Sequence, residues 1–203
     1  MKKILLLVGL VALTASICAL ADNVPGDGLR NAVILVIRHA EKTGDDMGLS
    51  PEGQARANAY ADYFKNFQVD GRPLKLDRLY SAAISKHSER CGLTLVPLSQ
   101  ALGLTVDGGY PIKKPEKLVA TIQRQPPGLH YLISWHHGSI PKLLIELGAD
   151  PTTLFAKWNG WPDDVFDWVI QLRYDSDGRL IEAKRIDENL MPGDADHTAA
   201  RNR

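Results

Sequence analysis

A cation, an imidazole, a carboxylate and a second cation directly follow an apolar run near the start of the chain. The run AVILVI is followed by Arg38 and His39, and then by Glu41 and Lys42. An unbroken apolar run of this length is typical of a strand that is covered on both faces of a parallel sheet. Because ligands bind outside the carboxyl ends of such strands, this change of character predicts an active site at Arg38 and His39.

The same pattern recurs later in the chain. The apolar run YLISW is followed by His136, His137 and Gly138. If both runs form parallel strands, two strand ends deliver histidines to one cleft. Side chains alternate along a strand, so only one of His136 and His137 can point toward His39.

Three stretches of the chain carry recognisable motifs. They are RHAEK at Arg38, LSPEGQARA at Leu49, and a strand that ends in WHHG at Trp135. Together they resemble the histidine phosphatase superfamily, the phosphoglycerate mutase-like family. In that family an arginine–histidine pair opens the catalytic domain, and a second histidine follows a later strand. The resemblance extends from Val33 to about Leu147 and suggests an exported member of the RHAEK type.

The resemblance implies roles for three residues. His39 would be the nucleophile and would carry a phosphohistidine intermediate, because neutral imidazole, with an unperturbed pKa of about 6.5, can attack phosphorus at physiological pH. Arg38 would hold two phosphoryl oxygens through its planar guanidinium. His136 matches the family's second histidine, which donates to the phosphoryl group. We expect His137 to cap the following helix or to line the mouth of the site.

The sequence departs from the family at the second phosphate-binding arginine. The family's second strand usually continues Ser-Ser-Pro-x-x-Arg, whereas this chain reads SAAISK and ends that pattern at Lys86. A lysine neutralises phosphate as a point charge but lacks the bidentate fork of arginine. Arg90, one helical turn further on, could reach back along the same face. We therefore expect Lys86 or Arg90 to bind phosphate.

The sequence does not identify which residue protonates the leaving oxygen. In the family it often comes from a loop after the second strand–helix unit, which makes Asp107 and Glu116 the candidates by position. Neither residue lies in a recognisable motif.

Three classes of function are compatible with these residues. The preferred one is a phosphatase that needs neither metal nor cofactor. The second is a phospholigand-binding protein with weak turnover, suggested by Lys86 and the unassigned acid. The third is metal-dependent hydrolysis, which lacks any HExxH-type helical spacing to support it. Its ligands would be His39, Glu41, His136 and His137.

Composition favours a small-molecule partner. The chain has 24 basic and 24 acidic residues, and this zero formal charge gives no electrostatic reason to expect binding to nucleic acid or to a membrane surface. Its 203 residues, 44% of them hydrophobic, suffice for one domain with a sizeable core. We expect a small phosphoester substrate, and the sequence carries no indication of the oligomeric state.

Residues 1–21 have the pattern of a signal peptide. Two lysines precede the apolar run Ile4–Leu13, and Ala19–Ala21 provides a small-x-small cleavage site. The apolar run is too short to span a membrane comfortably. We predict export to the periplasm or the medium, with no stable membrane association after cleavage. Cys91 would then be the only thiol, so no intrachain disulfide could form, and we expect it in the core.

The helix after the first strand has clear start signals. Residues 50–52 supply a capping hydroxyl, a proline in the first turn and a carboxylate near the positive end of the helix dipole. We predict that this helix runs to about Asn66. Its spacing predicts an apolar face that packs on the sheet. This face consists of Ala55, Ala59 and Tyr63 at i, i+4 and i+8, widened by Tyr60, Phe64 and Phe67.

The order of the elements predicts an α/β fold. We expect a three-layer α/β/α sandwich with a mostly parallel sheet, as the phosphoglycerate mutase-like resemblance implies, and a C-terminal antiparallel hairpin. The domain would cover 22–188, and the polar segment 189–203 would be disordered. The tryptophans at 158, 161 and 168 would lie in the core, or else form a wall of the substrate pocket or a protein contact, and Asp163 and Asp164 between them would cap or turn. Further strands are expected at 78–81, 104–106, 130–136, 166–174 and 180–186, and further helices at 85–103 with an interruption at Pro97, at 115–125 and at 139–147.

Overall fold

A six-stranded mixed sheet forms the centre of the molecule. The computed structural model describes residues 27–44, 46–155 and 160–194, so the expected signal peptide, Trp158 and residues 195–203 lie outside the described residues. The strand order is β5-β4-β6-β1-β7-β8. The first four of these strands are mutually parallel, and β7 and β8 form an antiparallel hairpin beside β1. The strands are β1 (Val33–Arg38), β4 (Arg78–Ala82), β5 (Val106–Tyr110), β6 (His130–Trp135), β7 (Trp168–Tyr174) and β8 (Leu180–Asp187), with a separate small hairpin of β2 (Gln68–Val69) and β3 (Arg72–Pro73).

Helices cover both faces of the sheet. Side chains of α1 and α2 pack with one face of β1, and side chains of α3 and α4 pack with the other face. The predicted three-layer α/β/α sandwich is therefore confirmed. Within the described residues, no helix is long and apolar enough to cross a membrane. The helices are α1 (Pro51–Lys65), α2 (Arg90–Leu102), α3 (Glu116–Gln123), α4 (Ile140–Glu146) and α5 (Pro151–Leu154), and a 3-10 turn (His137–Ser139) precedes α4.

The second helix differs from its prediction at its start and its middle. It begins at Arg90 rather than at residue 85, because Ser85 and Ser88 pair through their backbones in a tight turn (2.9 Å from the Ser85 amide to the Ser88 carbonyl). Pro97 does not interrupt the helix. Proline removes one backbone donor, and the burial of helix side chains against the sheet offsets that loss. Gly103, at a φ of 66°, ends the helix as predicted.

The buried face of α1 includes Tyr60 and Phe64, as predicted, but not Ala55. Ser50 caps the helix as expected and accepts a hydrogen bond from the amide of Gly53 (3.1 Å). However, Ala55 is exposed, whereas Arg56 is buried. Hydrophobic spacing could not indicate a buried arginine, because its burial depends on carboxylates from distant parts of the chain. The buried positions are Gly53, Arg56, Ala57, Tyr60 and Phe64.

Arg56 joins three segments through ion pairs. Its guanidinium contacts Glu41 after β1 (2.7 Å), Glu188 after β8 (2.9 Å) and Asp194 (2.7 Å). The Tyr60 hydroxyl donates to Glu188 as well (2.7 Å). Asp194 belongs to the segment that we expected to be disordered, yet it is buried in this pairing. The cluster therefore anchors the loop that follows β1 to α1 and to the C-terminal segment.

Aromatic and sulfur-containing side chains fill one layer of the core. Trp161 and Trp168 are buried and lie against Phe155. Cys91 is buried too, and burial raises the pKa of its thiol to about 12. A thiol in this environment is a core side chain rather than a nucleophile.

Gly53 provides a test of how α1 packs against the loop after β1. A Cβ atom at this position would lie 2.2 Å from the carbonyl oxygen of Glu41. Gly53→Ala should lower the free energy of unfolding by about 1–3 kcal/mol, although alanine normally stabilises a helix relative to glycine. Urea denaturation measures the change, with Gln54→Ala on the exposed face as the control. Stabilisation by Gly53→Ala would contradict the close approach of the loop.

Candidate active site

The register between β1 and β6 brings two histidines together. These parallel strands pair Arg38 with Trp135, so the next residues, His39 and His136, leave the sheet side by side. The backbone amide of His39 donates to the carbonyl of Trp135 (3.0 Å). The imidazole centroids are 5.0 Å apart with an interplanar angle of 72°. The two strand-end histidines that were predicted to meet are thus in contact, with His136 as the partner of His39.

The hydrogen bond of His39 defines the state of its ring. Nδ1 lies 2.7 Å from the carbonyl oxygen of Ala40, which can only accept, so Nδ1 carries the proton and Nε2 keeps its lone pair. Burial, together with the charge of Arg38, lowers the pKa of His39 to about 3, although the hydrogen bond to Ala40 opposes that shift. Burial and the charge of Arg90 lower the pKa of His136 to about 4. Both imidazoles are therefore neutral at physiological pH.

Arg38 holds a loop over the site with one of its nitrogens. Its Nη1 atom donates to the carbonyl oxygens of Pro162 (3.2 Å), Asp163 (2.7 Å) and Val165 (2.9 Å). The ring of Phe166 lies 3.7 Å from the guanidinium carbon. Burial lowers the pKa of Arg38 to about 10, so the group stays charged. Nη1 is thus committed to carbonyls, while Nε is buried with no hydrogen-bond partner among the described residues.

The second cation of the site is Arg90. Its side chain is buried, its Nη1 atom donates to the carbonyl of Asp46, and its Nε atom is buried without a hydrogen-bond partner in the described part of the chain. Thr94 positions it, since the Thr94 hydroxyl donates to the Arg90 carbonyl (2.8 Å) and accepts from the Ala40 amide (2.9 Å). Lys86 is exposed in the turn before α2. Because the helix begins only at Arg90, the two cations do not share a helical face.

His137 points to a different partner. Its Nδ1 atom lies 3.2 Å from a carboxylate oxygen of Asp163, and its backbone begins the 3-10 turn before α4. Burial lowers its pKa, and Asp163 opposes that shift. From the sequence, Asp163 and Asp164 were expected only to cap or turn, so the hydrogen bonds of this loop with Arg38 were not predicted.

Glu41 and Lys42 follow His39 in the sequence, but their side chains form hydrogen bonds with other residues. Glu41 accepts from Arg56 (2.8 Å) rather than from Arg38. Lys42 is exposed and donates to the carbonyl of Gly44 (3.1 Å). Both residues therefore shape the loop around the site.

The two candidate acids have other partners. Asp107 lies within β5, where the Tyr110 hydroxyl donates to it (2.8 Å), and Glu116 pairs with Lys142 (3.3 Å). Both are exposed. Their role as the acid stays a prediction. The described residues also contain no group of three or more histidine, cysteine, aspartate or glutamate side chains arranged to hold a metal ion.

Comparison with solved structures identifies the architecture. No family model and no curated protein matches the sequence. The SixA protein of Agrobacterium tumefaciens aligns with 75% of this chain and 97% of its own, at 21% identity and a TM-score of 0.51. The protein histidine phosphatase SixA complexed with tungstate aligns with 77% of this chain and 97% of its own, at 16% identity and a TM-score of 0.51.

The chain has the phosphoglycerate mutase-like fold of the histidine phosphatases. A mutant phosphoserine phosphatase from Entamoeba histolytica, in complex with phosphoserine, aligns with 75% of this chain and 96% of its own. Its identity is 15% and its TM-score is 0.50. These structural neighbours are histidine phosphatases and a phosphoserine phosphatase, and their likeness to this chain is one of fold.

The placement of the two cations predicts unequal roles in anion binding. Arg90→Ala should weaken vanadate binding about tenfold or more, because a charge-assisted hydrogen bond is worth roughly 1.5–3 kcal/mol. Lys86→Ala, which removes an exposed charge, should change the affinity less than about twofold. Isothermal titration with vanadate measures both. A larger loss for Lys86→Ala would show that the turn before α2 closes over the anion.

Proposed function

We propose that this protein is a phosphomonoester hydrolase of the histidine phosphatase superfamily that acts through a phosphohistidine on His39. One observation carries the proposal. A neutral imidazole with a free Nε2 atom lies beside two buried arginines, Arg38 and Arg90, whose Nε donors have no partner among the described residues. Unpaired buried donors are costly, and an anion that accepts from both would remove this cost. The site therefore suits a phosphoryl group beside a nucleophile.

The chemistry uses the side chains in defined roles. Nε2 of His39 attacks phosphorus, and the bond to the ester oxygen breaks as the phosphorus–nitrogen bond forms. The Nδ1 hydrogen bond to Ala40 stabilises the positive charge that develops on the ring. The phosphoryl oxygens accept hydrogen bonds from Arg90, from His136 and from the unpaired Nε atom of Arg38. The leaving alkoxide takes up a proton from solvent in this first step. Water then attacks phosphorus, the phosphorus–nitrogen bond breaks, and phosphate and the free imidazole are released as the attacking water returns a proton to solvent.

The structural neighbours support this reaction class. Two are SixA proteins, one of them a protein histidine phosphatase complexed with tungstate, and another is a phosphoserine phosphatase complexed with phosphoserine. We extend to this chain phosphatase activity on a small phosphoester, without metal or cofactor. We further propose an exported protein, because the N-terminal 21 residues have a charged start, an apolar run and a cleavage site.

A phospholigand-binding protein with weak turnover is the second candidate. It is favoured by the hydrogen bonds of Arg38 Nη1 to three carbonyls, because they leave fewer guanidinium N–H groups to stabilise the transition state. The candidate acids Asp107 and Glu116 have other partners, which also favours weak turnover, since an alkoxide leaving group needs a proton.

Trapping of the phosphoenzyme tests the proposed function. The mature protein, mixed with a radiolabelled phosphomonoester and quenched rapidly in alkali, should retain label that acid releases. His39→Ala should retain none and should lose turnover, because the described residues place no other nucleophile at this position. His87→Ala, which removes an exposed histidine, is the matched control and should label like the wild type.

The outcomes separate the candidate functions. Turnover that survives a chelator supports the metal-independent phosphatase, whereas its loss on chelation points to metal-dependent hydrolysis. Vanadate binding with neither turnover nor label supports the phospholigand-binding protein. Equal labelling of wild type and His39→Ala would overturn the assignment of the nucleophile.

A further inference from the structure

A cleft adjoins the histidine site. It has a volume of about 590 Å³ and shares Phe166 with that site. The Phe166 ring lies 6.4 Å from the ring of His39, centroid to centroid, and 3.7 Å from the guanidinium carbon of Arg38. A volume of this size can hold part of a small molecule. The Phe166 side chain would thus lie between this cleft and a molecule bound at His39.

The lining of the cleft is strongly acidic. Among the described residues that line it, one guanidinium, that of Arg56, faces five carboxylates. Arg56 is already paired with Glu188 in addition to two of these five. The lining of the cleft therefore has more carboxylates than its own guanidinium pairs with, and the charge of Arg38 in the neighbouring site acts on Glu41 and Asp164. The five carboxylates are Glu41, Glu52, Asp164, Asp167 and Asp194.

Two carboxylates of this lining have unused acceptor oxygens. Asp167 is only 2% exposed, and its Oδ2 atom has no hydrogen-bond partner within the described chain. The Oε2 atom of Glu41 is likewise buried and without a partner there. Burial raises the pKa of Asp167, and the neighbouring charge of Asp194 raises it further. A buried carboxylate oxygen that accepts no hydrogen bond is unfavourable, so these two oxygens would be stabilised by a ligand that brings N–H donors.

The cleft also has apolar walls. Phe166, Met191 and Pro192 contribute carbon surface beside the carboxylates. A ligand with a short hydrocarbon stem and a cationic end would match both parts of this lining. A bare metal ion fits less well, because the described carboxylates do not converge in a metal-binding group.

We propose that this acidic cleft is a substrate subsite for a primary ammonium group, carried on a short apolar stem by the phosphoester whose phosphoryl group binds at His39. The inference rests on the proposed function, since it assigns the substrate class of the same site. The ammonium would balance the excess carboxylate charge and donate to Glu41 and Asp167. A small rotation of each carboxylate uncovers the unpaired oxygen, since this torsion is broad in acidic side chains.

Paired substrates test the subsite. ω-Aminoalkyl phosphates and alkyl phosphates of matched chain length, from three carbons upward, are compared by kcat/KM with the mature protein. The wild type should prefer the amino ester by about tenfold at one or more lengths, because a charge-assisted contact contributes that much. Asp164→Asn and Asp167→Asn should each bring this ratio several-fold closer to one. Asp62→Asn, an exposed charge removed from α1 away from the cleft, should leave the ratio unchanged.

The possible results distinguish this inference from the proposed function. Equal kcat/KM for both esters at every length, with turnover intact, overturns the ammonium subsite and leaves the phosphatase. If neither ester is hydrolysed, the proposed function fails, and calorimetry with the corresponding phosphonates decides on the subsite. Tighter binding of the aminoalkyl phosphonate, reduced by Asp164→Asn, then supports the subsite, and equal binding overturns it. The exposed position of Asp164 keeps the test valid should Asp167→Asn fail to fold.

Discussion

The parallel pairing of β1 with β6 is the constraint on which the site depends. It aligns Arg38 with Trp135 and so releases His39 and His136 from neighbouring strand ends. A slip of one residue would turn every side chain of a strand to the opposite face. The pairing is held because β1 is buried on both faces, with alternate residues in two separate layers of the core. Core packing thereby determines which imidazoles meet.

Burial then determines the protonation state of the two histidines at these strand ends. The histidines are neutral because the protein excludes water from them and places two guanidinium groups beside them. The same guanidinium groups would attract a phosphoryl group. The ion pairs of Arg56 extend this arrangement, because they fix the loop after His39 and also build the acidic cleft beyond Phe166. One cluster of charges thus supports both sites.

The sequence predicted those parts of the site that follow from local pattern. Apolar runs that end in histidine indicated the strand ends, and the cap at Ser50 indicated the start of α1. Local pattern could not choose between Lys86 and Arg90, because the choice depends on a turn between Ser85 and Ser88. A continuous helix from residue 85 would have placed both on one face.

Features that depend on distant contacts were missed. Arg56 lies on the buried face of α1 only because carboxylates from the loop after β1 and from the C-terminal segment surround it. The loop from Pro162 to Phe166 is held over the site by backbone carbonyls, which carry no sequence signature. Asp194 fell in a segment whose polar composition predicts disorder, and its ion pair with Arg56 overrides that composition.

A neutral His39 ring with its proton on Nδ1 is what nucleophilic attack by Nε2 requires, and nitrogen-detected NMR of the imidazole measures this state directly. We expect a proton on Nδ1, none on Nε2, and no titration of the ring between about pH 5 and 8. The reason is that burial places the pKa of His39 at about 3, below the value of about 6.5 for a free imidazole, so lowering the pH to about 5 does not protonate it. A ring that titrates near its ordinary pKa, or one that carries its proton on Nε2, would show that His39 is not held as a neutral nucleophile.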